Sequence, residues 1–147
     1  MTKVITMIKR FSMQQLDDIM KIWLNTNISA HSFIERSYWD KSSGMVRSLL
    51  PSSDLFVYED EYIIKGFIGI TGECYIAGLF VDAKYQSHGI GRALLEFCKK
   101  RYTHLELDVF IMNKNAVQFY EKNGFLVSER KMNSDFKCDE YHMVWPE

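Results

Sequence analysis

Little in this sequence breaks the chain, links it or charges it. Only two prolines, Pro51 and Pro146, occur in 147 residues, so rigid punctuation is scarce and long regular elements are permitted. The three cysteines, Cys74, Cys98 and Cys138, are odd in number, far apart and outside the short spacings of metal motifs. That excludes a disulfide scaffold and reads as reduced thiols in a cytoplasmic protein, with no metal expected. No long apolar run occurs, so neither a transmembrane helix nor, at "MTKVITMIKRF", a signal peptide is indicated. Eighteen basic against nineteen acidic residues leave a formal charge of −1. This balance argues against nucleic acid as a partner, because such binding rests on neutralising phosphates, and no basic run marks a membrane surface.

What is present is apolar and aromatic: 47% of residues are hydrophobic and 14% aromatic, enough for a substantial core in one domain over residues 1–147. "VITMIKRF" reads as a strand. Ser12 and Gln15 form a capping-box pattern, and Leu16, Ile19, Met20 and Trp23 follow at helical spacing, predicting a helix over roughly 13–25. The polar and aromatic stretch from Asn27 predicts a loop, then a second helix interrupted near Ser42-Ser43-Gly44 and stopped at Pro51. "LFVYEDEYIIKGFIGI" predicts a hairpin turning at about Asp60-Glu61. "CYIAGLFV" is a continuous apolar run, as expected of a central strand covered on both faces. Ile90, Ala93, Leu94, Phe97 and Cys98 mark a third helix. "LELDVFI" alternates as a strand, "NAVQFYEKNGF" is a short helix closed by Asn123-Gly124, and "LVSERKM" and "EYHMVW" complete the chain as strands. The order β-α-α-β-β-β-α-β-α-β-β is an α/β domain with a mixed sheet.

The chemistry concentrates in "YQSHGIGRALLEF", a strand-to-helix turn with Gly89 and Gly91 one residue apart. Such a turn lets backbone N–H groups approach an anion at a helix N-terminus. It is not a P-loop, since no G-x-x-x-x-G-K-[ST] occurs. Nor is it a dinucleotide fingerprint, because Leu94 stands where a small residue is needed. Gln86-Ser87-His88-Gly89-Ile90-Gly91 instead resembles the pyrophosphate loop of the GNAT superfamily of N-acetyltransferases. "GLFVDAKYQSHGIGRALL" is similar to that family's fourth strand, loop and third helix. "LDVFIMNKNAVQFYEKNGF" is similar to its fifth strand and fourth helix, so the two motifs together cover about residues 74–125. "AHSFI" followed by "YW" brings the chain nearer to a group of small bacterial members.

The resemblance implies a mostly antiparallel sheet of about seven strands with four helices, and acetyl-CoA as co-substrate. It implies that the amides from Gln86 through Ser87, His88, Gly89, Ile90 and Gly91 to Arg92 hold the diphosphate. His88 departs from the Arg or Lys usual in the family, removing a fixed charge. Leu79, Phe80 and Val81 would pair with the pantetheine arm through their backbone, and Asn113 would hold that arm. Asn113 could equally cap the fourth helix, although Asn115 is the expected cap. Tyr120 matches the family tyrosine whose hydroxyl faces the coenzyme A sulfur; the competing reading is a core tyrosine. Asp108 matches a carboxylate used as base by some members, with Tyr75 and Glu73 at alternative positions, and a merely solvated carboxylate is the competing reading.

For the acceptor, the family uses the segment between the first two helices and the last hairpin, here Asn27 to Trp39 and about Lys131 to His142. His31, Phe33, Tyr38 and Trp39 could form an aromatic pocket for a cationic amine, or pack the helical pair. Asp135, Asp139 and Glu140 could attract a cation, or form a solvated hairpin tip. The function implied is direct transfer of acetyl to a primary amine, on a small molecule or a protein lysine, by a monomer or homodimer. A non-catalytic acyl-CoA-binding module is the rival reading, against which Tyr120 and Asn113 weigh.

Overall fold

A computed structural model of the chain describes residues 6–146; Val4 and Ile5, assigned above to the first strand, lie outside the described residues. The elements are β1 (Thr6–Arg10), α1 (Leu16–Ala30), α2 (Arg36–Leu49), β2 (Asp54–Asp60), β3 (Ile63–Thr71), β4 (Tyr75–Val81), α3 (Ile90–Lys99), β5 (Leu105–Phe110), α4 (Lys114–Lys122), β6 (Leu126–Asn133) and β7 (Cys138–Trp145). They follow the expected order. The strands form one seven-stranded sheet in the order β1-β2-β3-β4-β5-β7-β6. Neighbours are antiparallel except β4 and β5, which run parallel.

Strand periodicity decides which helices cover which face. On β5, Leu105, Leu107 and Val109 are buried while Glu106, Asp108 and Phe110 are half-exposed on the other side. The first set packs under α3 and α4 with Ile90, Leu94, Leu95, Cys98, Val117 and Phe125. The opposite face carries a second cluster, in which Ile19, Ile22 and Trp23 of α1 and Trp39 of α2 meet Leu55, Val57 and Phe67. Burial of each large aliphatic side chain contributes about 1.5–3 kcal/mol, so the two clusters clamp the sheet from both sides.

Three expectations are corrected. The Ser12–Gln15 box forms, with Gln15 Oε1 accepting the Ser12 N–H at 2.9 Å, but it opens a 3-10 turn, and α1 then runs on to Ala30. The helix α2 is continuous through Ser42-Ser43-Gly44. The serines satisfy themselves on the helix, Ser42 Oγ donating to the Tyr38 carbonyl at 2.8 Å and Ser43 Oγ to that of Asp40 at 2.9 Å, so they do not compete for a turn. The strand covered on both faces is β3, buried from Gly66 to Ile70. In β4 only Ile76 is buried and Ala77 is exposed, because one side of that strand opens onto a groove.

Continuity of α2 can be tested at Gly44, which is exposed and where an added Cβ would meet nothing within 4 Å. In an unbroken helix Gly44→Ala is expected to stabilise the protein by about 0.5–1 kcal/mol, read as a higher urea midpoint at unchanged m. A lower midpoint would mean that the backbone there is not helical.

Candidate active site

The groove exists because β4 and β5 separate. Gly78 pairs with Gly69 and Ile76 with Ile70, leaving Ala77 as an extra residue with no partner in β3. A bulge of this kind bends its strand and increases the local twist. Beyond it β4 leaves its parallel neighbour: Tyr75↔Glu106 is the one registered pair between β4 and β5. The resulting cavity has a volume of about 1200 Å³ and reaches from β4 to the start of α3 and along α4.

At one end is the glycine turn. Gly89 caps α3 with φ 79°, a left-handed conformation that disfavours a side chain, and Ala93 N–H is the first to bond back, to the Gly89 carbonyl at 3.0 Å. The amides of residues 90–92 are thus left without intrahelical partners, at the positive end of the helix. Gly91 serves a different purpose. A Cβ there would approach the Phe119 ring at 3.1 Å, so its absence lets α4 pack against α3. Gly91 nonetheless lines the groove beside Gly89. The His88 ring is tied back, its Nδ1 lying 2.9 Å from the Tyr85 carbonyl, and it is not part of the groove wall. Arg92, Lys114 and Lys122 are on the wall, cations that sequence reasoning missed as a group because they come from two helices.

In the wall, Leu79, Phe80, Val81, Gln86, Ser87 and Ile90 join Asn113, Tyr120 and His31. Asn113, not Asn115, caps α4, its Oδ1 accepting the Ala116 N–H at 3.3 Å. Its amide nitrogen lies 3.4 Å from His31 Nε2, a long contact that links the end of α1 to the start of α4. Tyr120 is 8% exposed and packs against the Phe119 and Phe125 rings. Burial pushes its hydroxyl well above the usual phenol pKa.

Asp108 lies off the groove, on the α1–α2 side of the sheet. Tyr75 donates to its Oδ2 at 2.8 Å, while His142 Nδ1 and Lys131 Nζ lie 2.8 and 3.1 Å from its Oδ1. Burial alone would raise this carboxyl, but the hydrogen bonds from His142, Tyr75 and Lys131 together hold it below the usual range. Glu140, on the neighbouring strand, goes the other way, raised chiefly by burial and also by the Asp108 charge. Glu73 is exposed at the turn before β4.

The expected aromatic residues come together but differ in depth. Trp39 is 8% exposed and meets Trp23 edge-on at 5.9 Å, packing α1 against α2, while its other contacts, a stack on His31 at 5.4 Å and an edge to Tyr38 at 5.0 Å, make it the buried base of the aromatic layer. His31, Phe33 and Tyr38 form a layer with Phe110 and Phe136, at ring separations of 4.6–5.7 Å. Phe136 falls in the hairpin segment expected on the acceptor side but was not singled out there, and Phe110 was not expected; the folding of the last hairpin over β5 brings the two rings together.

These features define a class. A model of the acetyltransferase (GNAT) domain matches residues 17–143; the chain belongs to this family and is an N-acetyltransferase. It is 30% identical over 141 residues, 95% of this chain and 97% of the relative, to the peptidyl-lysine N-acetyltransferase YiaC of Escherichia coli. The solution structure of apo YjaB from Escherichia coli superposes with a TM-score of 0.84 at 26% identity, covering 96% of this chain and 97% of that one. The PaiA N-acetyltransferase of Thermoplasma acidophilum, solved with coenzyme A, gives 0.82 at 19% identity over 97% and 99% of the two chains. No helix among the described residues is long and apolar enough to cross a membrane.

His31 supplies a pH test. Burial lowers its pKa, the Asn27 carbonyl opposing, so the folded state binds its proton less readily than the unfolded chain does. Its contribution to stability is full above the unfolded value of about 6.5 and is lost as pH falls below that toward the folded value. Chemical denaturation from pH 8 to pH 5 is expected to show falling stability in the parent and a flatter profile in His31→Gln. Parallel profiles would count against a buried neutral imidazole.

Proposed function

We propose that this N-acetyltransferase uses acetyl-CoA and passes acetyl directly to a lysine side chain of a peptide or protein within a ternary complex. The observation that carries this reading is the groove that opens where β4 parts from β5, with unpartnered helix amides at one end and Tyr120 in its wall. The residues suit coenzyme A. Amides of 87–92 suit a diphosphate, and Arg92, Lys114 and Lys122 add positive charge around it. The edge of β4 at Leu79–Val81, turned from β5, can accept the pantetheine arm as an added strand. Asn113, fixed as the α4 cap, stands beside that path. Bound there, acetyl-CoA supplies an activated thioester.

Chain residues supply the rest. An N–H of the Leu79–Phe80 segment can polarise the thioester carbonyl. Tyr120, its pKa raised by burial, hydrogen-bonds the departing sulfur, and as the C–S bond breaks the thiolate takes up the proton that the newly acylated nitrogen gives up. Deprotonating a lysine amine at pH 7 costs about 4.6 kcal/mol, taking a pKa of 10.4 and 1.36 kcal/mol per unit. Asp108, already held by three donors, anchors the cationic amine, and the more basic Glu140 receives its proton through water. The acceptor side favours a lysine on a larger partner. Phe33, Phe110 and Phe136 fill the space that a deep small-amine pocket would need, and Tyr38, 39% exposed, faces outward. YiaC, named a peptidyl-lysine N-acetyltransferase, supports the same acceptor.

A thiol-release assay with acetyl-CoA tests this, and lysine peptides are expected to turn over with higher kcat/KM than spermidine. Tyr120→Phe is expected to lower kcat by about 10²–10⁴-fold, with acetyl-CoA affinity and Tm close to the parent. Glu140→Gln is expected to lose rate near neutral pH and regain it as pH approaches the amine pKa. Acetyl-CoA binding without thiol release on any amine would sink the transfer reading. Parent turnover by Tyr120→Phe, with chemistry rate-limiting, would make Tyr120 a core residue only.

A further inference from the structure

The fold gathers a second set of reactive groups at the far end of β4 and β5, away from the groove. Cys74 lies in the β3–β4 turn, His104 in the segment before β5, and Glu106 on β5. One ligand atom from each, the thiol sulfur, an imidazole nitrogen and a carboxylate oxygen, fall within 4.8 Å of one another. Backbone fixes two of them, because the Glu106 N–H donates to the Cys74 carbonyl at 3.0 Å. His104 Nε2 is 3.0 Å from Glu106 Oε2, and His142 Nε2 is 3.8 Å from Glu106 Oε1. We propose that Cys74 Sγ, His104 Nε2 and the Glu106 carboxylate form a binding site for a zinc-like divalent cation.

The donor chemistry selects the ion. A thiolate with an imidazole favours zinc over magnesium or calcium, which take oxygen ligands. Zinc bonds of about 2.0–2.3 Å set tetrahedral ligand atoms roughly 3.3–3.8 Å apart, so no pair need close in by more than roughly 1.5 Å, and His104 Nε2 and Glu106 Oε2, now 3.0 Å apart, need only open slightly. The thiol proton of Cys74 is released, the one proton of a neutral His104 imidazole sits on Nδ1, and the cation takes the place between Sγ, Nε2 and the carboxylate. Outer support lies close by, with His142 Nε2 3.8 Å from Glu106 Oε1. His142 faces Glu106 through Nε2 while its Nδ1 lies 2.8 Å from Asp108, which also accepts from Tyr75, the kind of carboxylate–histidine relay that orients metal ligands. With three protein ligands, the fourth position remains for water. None of the three residues is fully buried and the His104 side chain is 44% exposed, so solvent reaches the site. The cation would brace the single registered pair of β4 and β5, Tyr75↔Glu106.

The test uses the reduced, chelator-stripped full chain titrated with Co²⁺ and Zn²⁺. One equivalent of Co²⁺ is expected to bind with tetrahedral d–d absorption and a thiolate-to-cobalt charge-transfer band, and Zn²⁺ to displace it and raise Tm. Cys74→Ser is expected to abolish the charge-transfer band, and His104→Ala to weaken binding at least tenfold. Cys138→Ser is expected to leave both unchanged. A parent chain with no charge-transfer band, or a band that survives Cys74→Ser, overturns the proposal. Should Cys74→Ser not fold, unchanged affinity in His104→Ala overturns it instead. The readouts are spectroscopic and thermal, so they do not depend on acetyl transfer.

Discussion

Everything functional in this chain depends on a conflict between two strands. The bulge at Ala77 prevents β4 from continuing beside β5 after Tyr75↔Glu106. A sheet that gives up pairing in its interior leaves backbone donors and acceptors unmet, which is costly unless something else meets them. Here the surrounding structure holds the strands apart. The cluster under α3 and α4 holds Phe56, Ile68, Ile76 and Leu107 of four successive strands on one face, and the cluster under α1 and α2 holds Leu55, Val57 and Phe67 on the other, with Phe80 and Phe110 packed against it. The opening is thus maintained by packing on both sides, and an extended ligand can occupy the place of the missing strand.

The two faces of the opened sheet have different chemistry. On the groove side are helix amides, cationic side chains and a phenol with its pKa raised by burial. On the other are Asp108, Glu106 and Glu140 with His142, Lys131 and Tyr75, most of them hydrogen-bonded to one another. The groove side therefore suits an anion and the opposite side a cation. The carboxylates differ as well. Three donors keep Asp108 ionised, whereas Glu140, half-buried with only Asn133 donating to it, is the more basic.

Much of this was legible in the order of residues. Alternation in "LELDVFI" identified both the buried and the half-exposed face of β5, and the two motifs around Gly89 and Asn113 supplied residues of the groove wall. The errors have common causes. Serines near Gly44 read as a break because the same hydroxyls can bond to the backbone in a turn or in a helix, and only the structure shows which. An apolar run in β4 read as a doubly covered strand because hydrophobicity does not distinguish a protein interior from a groove that a ligand covers. Asn115 was preferred over Asn113 as the cap because the two lie two residues apart, and the choice depended on where α4 begins.

The sequence by itself determined the element order, the family and the residues that meet at the glycine turn, because those signals are local: periodicity, caps and a short loop with a defined backbone. Tertiary structure alone decided what joins across long separations. It set Cys74 beside His104 and Glu106, His142 and Lys131 on Asp108, and Phe136 over Phe110. Those contacts follow from sheet order and from one bulge, and a shift of a single residue in either register would turn every side chain involved to the opposite face.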